Sequence, residues 1–229
     1  MQVYTDRENE PAWAPCRVVV SSDTKKPMRK EGEEIAPQRG RNDTAFVFGV
    51  SGHRDLVPAD LPELRQQLRE IFRRSISSQP NKTFQLLTPL AEGADRIAAE
   101  EALALGIKLV VPMPMLQAEY ERDFTRAESL AEFRRLLKAA DEQFELTDAP
   151  TISETDKRAQ RYAAVGDYIA RKSHLLILLW DGRDNQKVGG TAWVRTRRED
   201  WSRIAKENGD TPALETIHVA TRRLAATPR

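Results

Sequence analysis

The segment from Ala45 to Arg54, AFVFGVSGHR, limits what this chain can fold into more than any other. An apolar strand is predicted over residues 45–50, with Gly49 near its end. It stops in a small polar turn, Ser51-Gly52-His53-Arg54, and a helix signal follows. A buried strand, a glycine turn and a helix start are the parts of an α/β phosphate cradle. Backbone N–H groups converge there, and the helix dipole favours an anion. The pattern recurs at LLTPLAEGADR and at LLILLWDG with GGTAW. Three such turns in one domain point to a nucleotide-like ligand.

The rest of the chain alternates in the same way. Asp60-Leu61-Pro62-Glu63 has the form of a helix N-cap with a glutamate three residues on, and Leu61, Leu64, Leu68, Ile71 and Phe72 then share one helical face. A second strand is expected over 83–87, followed by a helix that turns Ile97, Ala98, Ala102 and Leu105 inward and ends at Gly106. A third strand covers 107–111. One long helix then carries Tyr120, Phe124, Ala127, Leu130, Phe133 and Leu137 at spacings of three or four. A short strand follows at 143–146 and a helix at 158–172, with Tyr162, Val165 and Ile169 inward. The continuous apolar run 174–180 fits a central parallel strand buried on both faces. Gly189-Gly190-Thr191 opens the last helix, with Val194, Trp201, Ile204 and Ala205 as core, and 215–219 is the last strand.

The expected fold is therefore α/β: a three-layer, Rossmann-like domain with a mostly parallel central sheet flanked by helices. All three glycine turns fall at strand carboxyl ends, where such sheets take their ligands. Residues 1–43 read as a polar, flexible arm, with at most a short edge strand near 16–20. The domain spans 44–221, and 222–229 reads as a tail.

Composition removes several function classes. Lys+Arg 36 against Asp+Glu 35 leaves a net charge of +1, so bulk charge gives no case for nucleic acid or an anionic membrane. The basic cluster Lys25-Lys26-Pro27-Met28-Arg29-Lys30 is a solvated tail or, in a DNA-associated reading, a contact arm. Cys16 is the only cysteine, and His53, His174 and His218 are far apart, so no disulfide, thiolate cluster or metal site is expected. No cofactor is called for. The longest apolar run is too short to cross a bilayer and the first residues lack a secretory layout, which makes a cytoplasmic protein the simple expectation.

The candidate ligand-binding residues come from the turns. Gly52 lets a phosphate approach the backbone, Arg54 pairs with phosphate oxygens through its planar fork, and Ser51 and His53 donate to it. Gly93 and Ala94 leave space beside the ligand, Glu92 accepts a ribose hydroxyl, and Asp95 either joins them or caps its helix. Gly189, Gly190 and the Thr191 hydroxyl offer a second phosphate contact. Asp181, with Gly182 beside it, closes the set as a ribose or base-edge acceptor. Trp180, Tyr120, Tyr162 and Tyr168 stack on a base or belong to the core. Glu119, Glu121 and Asp123 are the acid–base candidates besides Glu92 and Asp181, but no residue is assigned a catalytic role. Arg195, Arg197 and Arg198 read as a solvated face or an oligomer contact.

Taken together, GVSGHRDL, PLAEGADRIAAEEALALG, PMPM with EYERDF, and LLILLWDG with GGTAW resemble the SLOG superfamily over about residues 45–220. This Rossmann-like group holds the cytokinin-activating phosphoribohydrolases, the DNA-processing proteins and nucleotide-sensing domains of bacterial conflict systems. The resemblance implies a cytoplasmic sensor of a nucleotide-derived small molecule, a cyclic nucleotide or an NAD derivative. It also implies a homo-oligomer and a separate effector protein in a defence or signalling system, without membrane insertion. The alternative it implies is a nucleoside monophosphate phosphoribohydrolase. Those hydrolases carry a glutamate three residues after the threonine of the second glycine motif, where this chain has Val194. Valine neither stabilises positive charge on a ribose nor moves a proton, so binding is favoured over hydrolysis.

Overall fold

The computed structural model describes residues 18–19, 45–146, 154–184, 187–209 and 214–224. Most of the expected arm, Cys16 and the basic cluster lie outside them. Seven strands build one sheet: β1 (Val18–Val19), β2 (Phe46–Gly52), β3 (Phe84–Leu87), β4 (Lys108–Met113), β5 (Glu142–Leu146), β6 (Leu175–Trp180) and β7 (Glu215–Ala220). Their order is β1-β5-β4-β3-β2-β6-β7. Every pairing is parallel except β1 with β5 at the edge. The expected three-layer, mostly parallel architecture is what the chain adopts.

Six helices complete the domain: α1 (Leu61–Ser78), α2 (Ala94–Ala104), α3 (Gln117–Tyr120), α4 (Ala127–Lys138), α5 (Glu154–Lys172) and α6 (Thr191–Glu207). The side-chain alternation of the strands decides how the layers close. Leu175, Ile177 and Leu179 of β6 join the core beneath α1, α2 and α4. Leu176 and Leu178 join the opposite core with Val165, Ile169 and Ala170 of α5 and Val194 of α6. All six β6 residues are buried, so an uninterrupted apolar strand is required there. From the central β2 the chain steps outward through β3, β4 and β5. It then returns to the other side of β2 for β6. The order therefore reverses between β2 and β6, where a doubly wound sheet opens a crevice at its carboxyl edge.

The structure corrects four expectations. Strand β2 runs through Gly52, with Ser51 paired to Leu178 and Gly52 to Leu179, so Ser51-Gly52 is strand end rather than turn. Helix α1 begins at Leu61, as expected, after a 3-10 turn at Pro58–Asp60. Asp60 is its N-cap by position, but its carboxylate accepts from Arg222 instead of the helix start. The single long helix over Tyr120 to Leu137 is two helices. The chain leaves α3 through a 3-10 turn at Glu121–Asp123, and the extended Arg126 precedes α4. The break lets Tyr120 and Phe124 fold back on Phe133, with ring centroids 5.5 and 4.7 Å from it.

Arg198 is the fourth. It is 2% exposed, not solvated. Its Nη1 donates to Ala170 O and Ser173 O, and its Nη2 to His174 O and Glu215 O. The guanidinium thus holds the carbonyl end of α5 against the starts of β6 and β7. Burial pushes it down to about 10, and it stays charged at neutral pH. The chain also remains tied to the domain past residue 221. Leu224 N donates to Asp55 O, and Arg223 pairs with Asp55.

Candidate functional site

A cavity of about 460 Å³ lies at the β2/β6 reversal. Ser51, Gly52, His53 and Arg54 from the end of β2 line one wall, and Gly189, Gly190 and Thr191 from the start of α6 line the facing one. Ser51 Oγ and Thr191 Oγ1 stand 3.5 Å apart, so two hydroxyls bracket the crevice. The second turn, between β3 and α2, contributes Ala91 and Asp95. Tyr120, Tyr162 and Trp180, read from the sequence as base-stacking or core residues, complete much of the wall with Arg158, Lys187 and Arg223, which the sequence did not single out.

Six of the expected site residues, Gly49, Glu92, Gly93, Ala94, Asp181 and Gly182, do not line it. Most of them serve contacts within the chain. A Cβ on Gly49 would sit 2.8 Å from Ile169 Cγ2, so this glycine brings α5 onto β2. A Cβ on Gly52 would meet Ala94 Cβ at 2.4 Å and Leu179 O at 2.7 Å. The space there belongs to α2 and β6. Gly93 has φ +76° and its missing Cβ would be 2.5 Å from His53 O and 2.6 Å from Arg54 O. Ala94 N donates to that same His53 carbonyl, which locks the second turn onto the first. Glu92 accepts a hydrogen bond from Ser129 Oγ on α4, away from the cavity.

His53 is also engaged. Its Nε2 lies 3.1 Å from both Asp181 N and Asp181 Oδ1. One nitrogen serves only one of them at a time: it accepts from the amide when unprotonated and donates to the carboxylate when protonated. For Asp181, burial acts to raise the carboxyl. The Arg183 N–H and His53 outweigh it and hold the group below its ordinary range.

The charges around the cavity differ in how committed they are. Arg158 donates to Glu119 and Asp123, and Asp123 also accepts from the Tyr162 hydroxyl. Arg223 forks onto both Asp55 oxygens. Arg54 is exposed and has no hydrogen-bond or ion-pair partner among the described residues. No side chain caps the N-terminus of α6, where Thr191 and Ala192 border the cavity. An uncapped helix start, two hydroxyls and a guanidinium without a partner among the described residues thus share one crevice, and each is a group that can interact with an anion.

Whereas Asp55 is paired with Arg223, Asp95 is the buried acid on the cavity wall, 5% exposed. It is not the cap of α2, a position that Gly93 holds. Its Oδ2 instead accepts from Ala91 N at 3.2 Å, and the Thr88 hydroxyl also donates to it. Burial raises its carboxyl to about 7, against the opposing pull of those bonds and of Arg54 and Arg96. Arg96 is itself held by Leu90 O, Ser129 and Glu132. Val194 is 2% exposed and fills the notch above Gly166, whose Cβ would come 2.8 Å from its Cγ2. The valine is a packing contact between α5 and α6. Among the described residues no group of three or more histidine, cysteine or acidic side chains is placed to hold a metal. No described helix is long and apolar enough to cross a membrane.

No family model and no curated protein matches the chain. Two solved structures are similar to it in fold. One is DNA processing protein A from Streptococcus pneumoniae, with a TM-score of 0.46, 13% identity and coverage of 69% of this chain and 48% of that one. The other is DNA processing protein A from Helicobacter pylori, described for its single-stranded DNA binding mode, with a TM-score of 0.42, 14% identity and coverage of 73% and 74%. The chain thus spans about half the length of the first and three quarters of the second.

Proposed function

We propose that this protein binds a nucleotide-derived, phosphate-bearing small molecule in the cavity between β2 and β6. The phosphate end meets Ser51, Arg54, Thr191 and the α6 N-terminus, and the base and sugar extend toward Tyr162 and Trp180. The observation that carries this reading is the arrangement of an unpaired Arg54, two hydroxyls 3.5 Å apart and an uncapped helix start at the point of strand reversal. A volume of about 460 Å³ suits a mononucleotide-sized portion of such a ligand. In this reading the protein is a sensor of a cyclic nucleotide or an NAD derivative. Occupancy changes self-association or engagement of a separate effector.

The test is a thermal-shift panel of AMP, NAD, ADP-ribose, cyclic dinucleotides and cyclic trinucleotides, with a single-stranded oligonucleotide as a further arm. A true ligand at a hundred times its Kd stabilises by about 2.7 kcal/mol, and Arg54→Ala and Thr191→Ala diminish that shift. Stabilisation by the oligonucleotide alone, with steep salt dependence, supports a DNA-associated role instead.

The hydrolase alternative rests on a specific observation as well. Asp95 is a carboxyl near neutrality on the cavity wall, as general acid–base catalysis favours. Free base released from AMP by the wild-type protein and not by Asp95→Asn supports it.

A further inference from the structure

Buried carboxyls are normally matched to a cation, and Asp95 is not. The elements packed around it leave it with only weak counter-charges. The β3–α2 turn supplies two neutral donors, Ala91 N–H and the Thr88 hydroxyl. From the end of β2, Arg54 faces solvent. From α2 itself, Arg96 is occupied by Leu90, Ser129 and Glu132. Where α1 packs on α2, Arg65 and Arg69 pair with Glu100 and Glu101. From α3 comes Tyr120, 1% exposed, on the same cavity wall. Burial and the nearby Asp95 charge push the Tyr120 hydroxyl above its ordinary range, so it remains a donor. From α5, Arg158 and Tyr162 are both engaged with Asp123.

The cavity therefore has an outer, cationic part around Arg54 and a buried part lined by the Asp95 carboxyl and Tyr120. An ionised Asp95 would repel an anionic guest in the same small space. A protonated one donates to it.

We propose that Asp95 and Tyr120 are specificity-determining residues that act as a pair of neutral O–H donors to an anionic oxygen of the bound ligand, with Asp95 gaining a proton as the ligand enters. The proposal rests on the phosphate-ligand reading above and deepens it. It assigns the buried part of the site to an anionic oxygen rather than to a cationic ring or an exocyclic amine, either of which would favour proton release. The proton comes from solvent, and no covalent bond changes.

The experiment is isothermal titration of the full chain with ADP-ribose, whose pyrophosphate charges do not titrate between pH 6 and 9, in buffers of different ionisation enthalpy. The expected result at pH 7 is uptake of about half a proton per ligand bound, with affinity falling about tenfold per pH unit above that. Asp95→Asn mimics the neutral acid; it retains binding and loses both the uptake and the pH dependence. Tyr120→Phe weakens binding about fivefold to tenfold while the uptake remains. Binding with no uptake, proton release, or uptake that survives Asp95→Asn overturns this proposal and leaves the ligand reading standing. No binding of ADP-ribose at any pH, with no other nucleotide of the panel bound, overturns both.

Discussion

Replacing Asp95 by asparagine should change how the stability of this protein depends on pH. A carboxyl whose folded-state value is raised binds its proton more tightly when folded than when unfolded. Its stabilising effect is therefore fully present at low pH and is lost as pH rises from the unfolded value toward the folded one. For Asp95 those limits are 3.8 and about 7. The difference of about three pH units corresponds to about 4 kcal/mol of stability lost between pH 4 and pH 8 through this group alone. Asparagine does not titrate. Any pH-independent effect of the amide, such as an altered bond to Ala91 or Thr88, cancels when two pH values are compared. Urea unfolding of both proteins at pH 4.5, 6 and 8, followed by circular dichroism, gives the comparison. The stability of Asp95→Asn relative to wild type should rise by about 3 kcal/mol from the lowest to the highest pH, or about 6–12 °C in Tm for a domain of this size. Two parallel pH curves would refute the reasoning and would mean that Asp95 is solvated or paired in solution.

Three further perturbations test the structure. Gly52→Ala drives a Cβ to 2.4 Å from Ala94 and 2.7 Å from a backbone oxygen, and should cost about 1–3 kcal/mol in denaturant melts even with no ligand present. Arg198→Met removes four bonds to main-chain carbonyls and should destabilise by about 3–5 kcal/mol; hydrogen exchange should localise the loosening to the C-terminal end of α5 and the start of β7. Arg54→Ala should leave the melting temperature of the free protein within about 1 °C, since an exposed, unpaired side chain contributes little to folding, and should remove most of the ligand-induced shift.

Much of this architecture was legible in the sequence because it depends on local patterns. The unbroken apolar run of β6 needs two covered faces, and the strand–helix alternation leaves few alternatives to a parallel sheet. The carboxyl-edge location followed from topology alone. The parts that were not legible depend on long-range partners. Nothing in the spacing of Tyr120 to Leu137 announces a break, because the residues on both sides obey the same helical period; the fold-back is set by Phe133 across the gap. Arg198 sits in a run with Arg195 and Arg197, and only the nearby carbonyls of Ala170, Ser173, His174 and Glu215 distinguish it from its solvated neighbour Arg195.

The glycines carry the same lesson for the site. Gly52 and Gly93 were read as room for a ligand, yet their missing side chains make room for Ala94 and for the His53 and Arg54 backbone. The turns do converge, but the chain itself occupies the space at those two glycines. What reaches the cavity from the second turn is Asp95, whose environment could not be read without knowing how deeply it is buried. Arg158 and Arg223 come from a helix and a strand end with no glycine signal, so pattern reading had no handle on them.

The central claim is that the α6 start and the end of β2 jointly hold a phosphate. Amide NMR of the full chain during titration with ADP-ribose tests it most directly. The account predicts that the Ser51, Thr191 and Ala192 resonances move together and saturate with one affinity, and that Arg54→Ala weakens that response. Saturable binding that leaves these three amides in place, with shifts gathered on another surface, would contradict it.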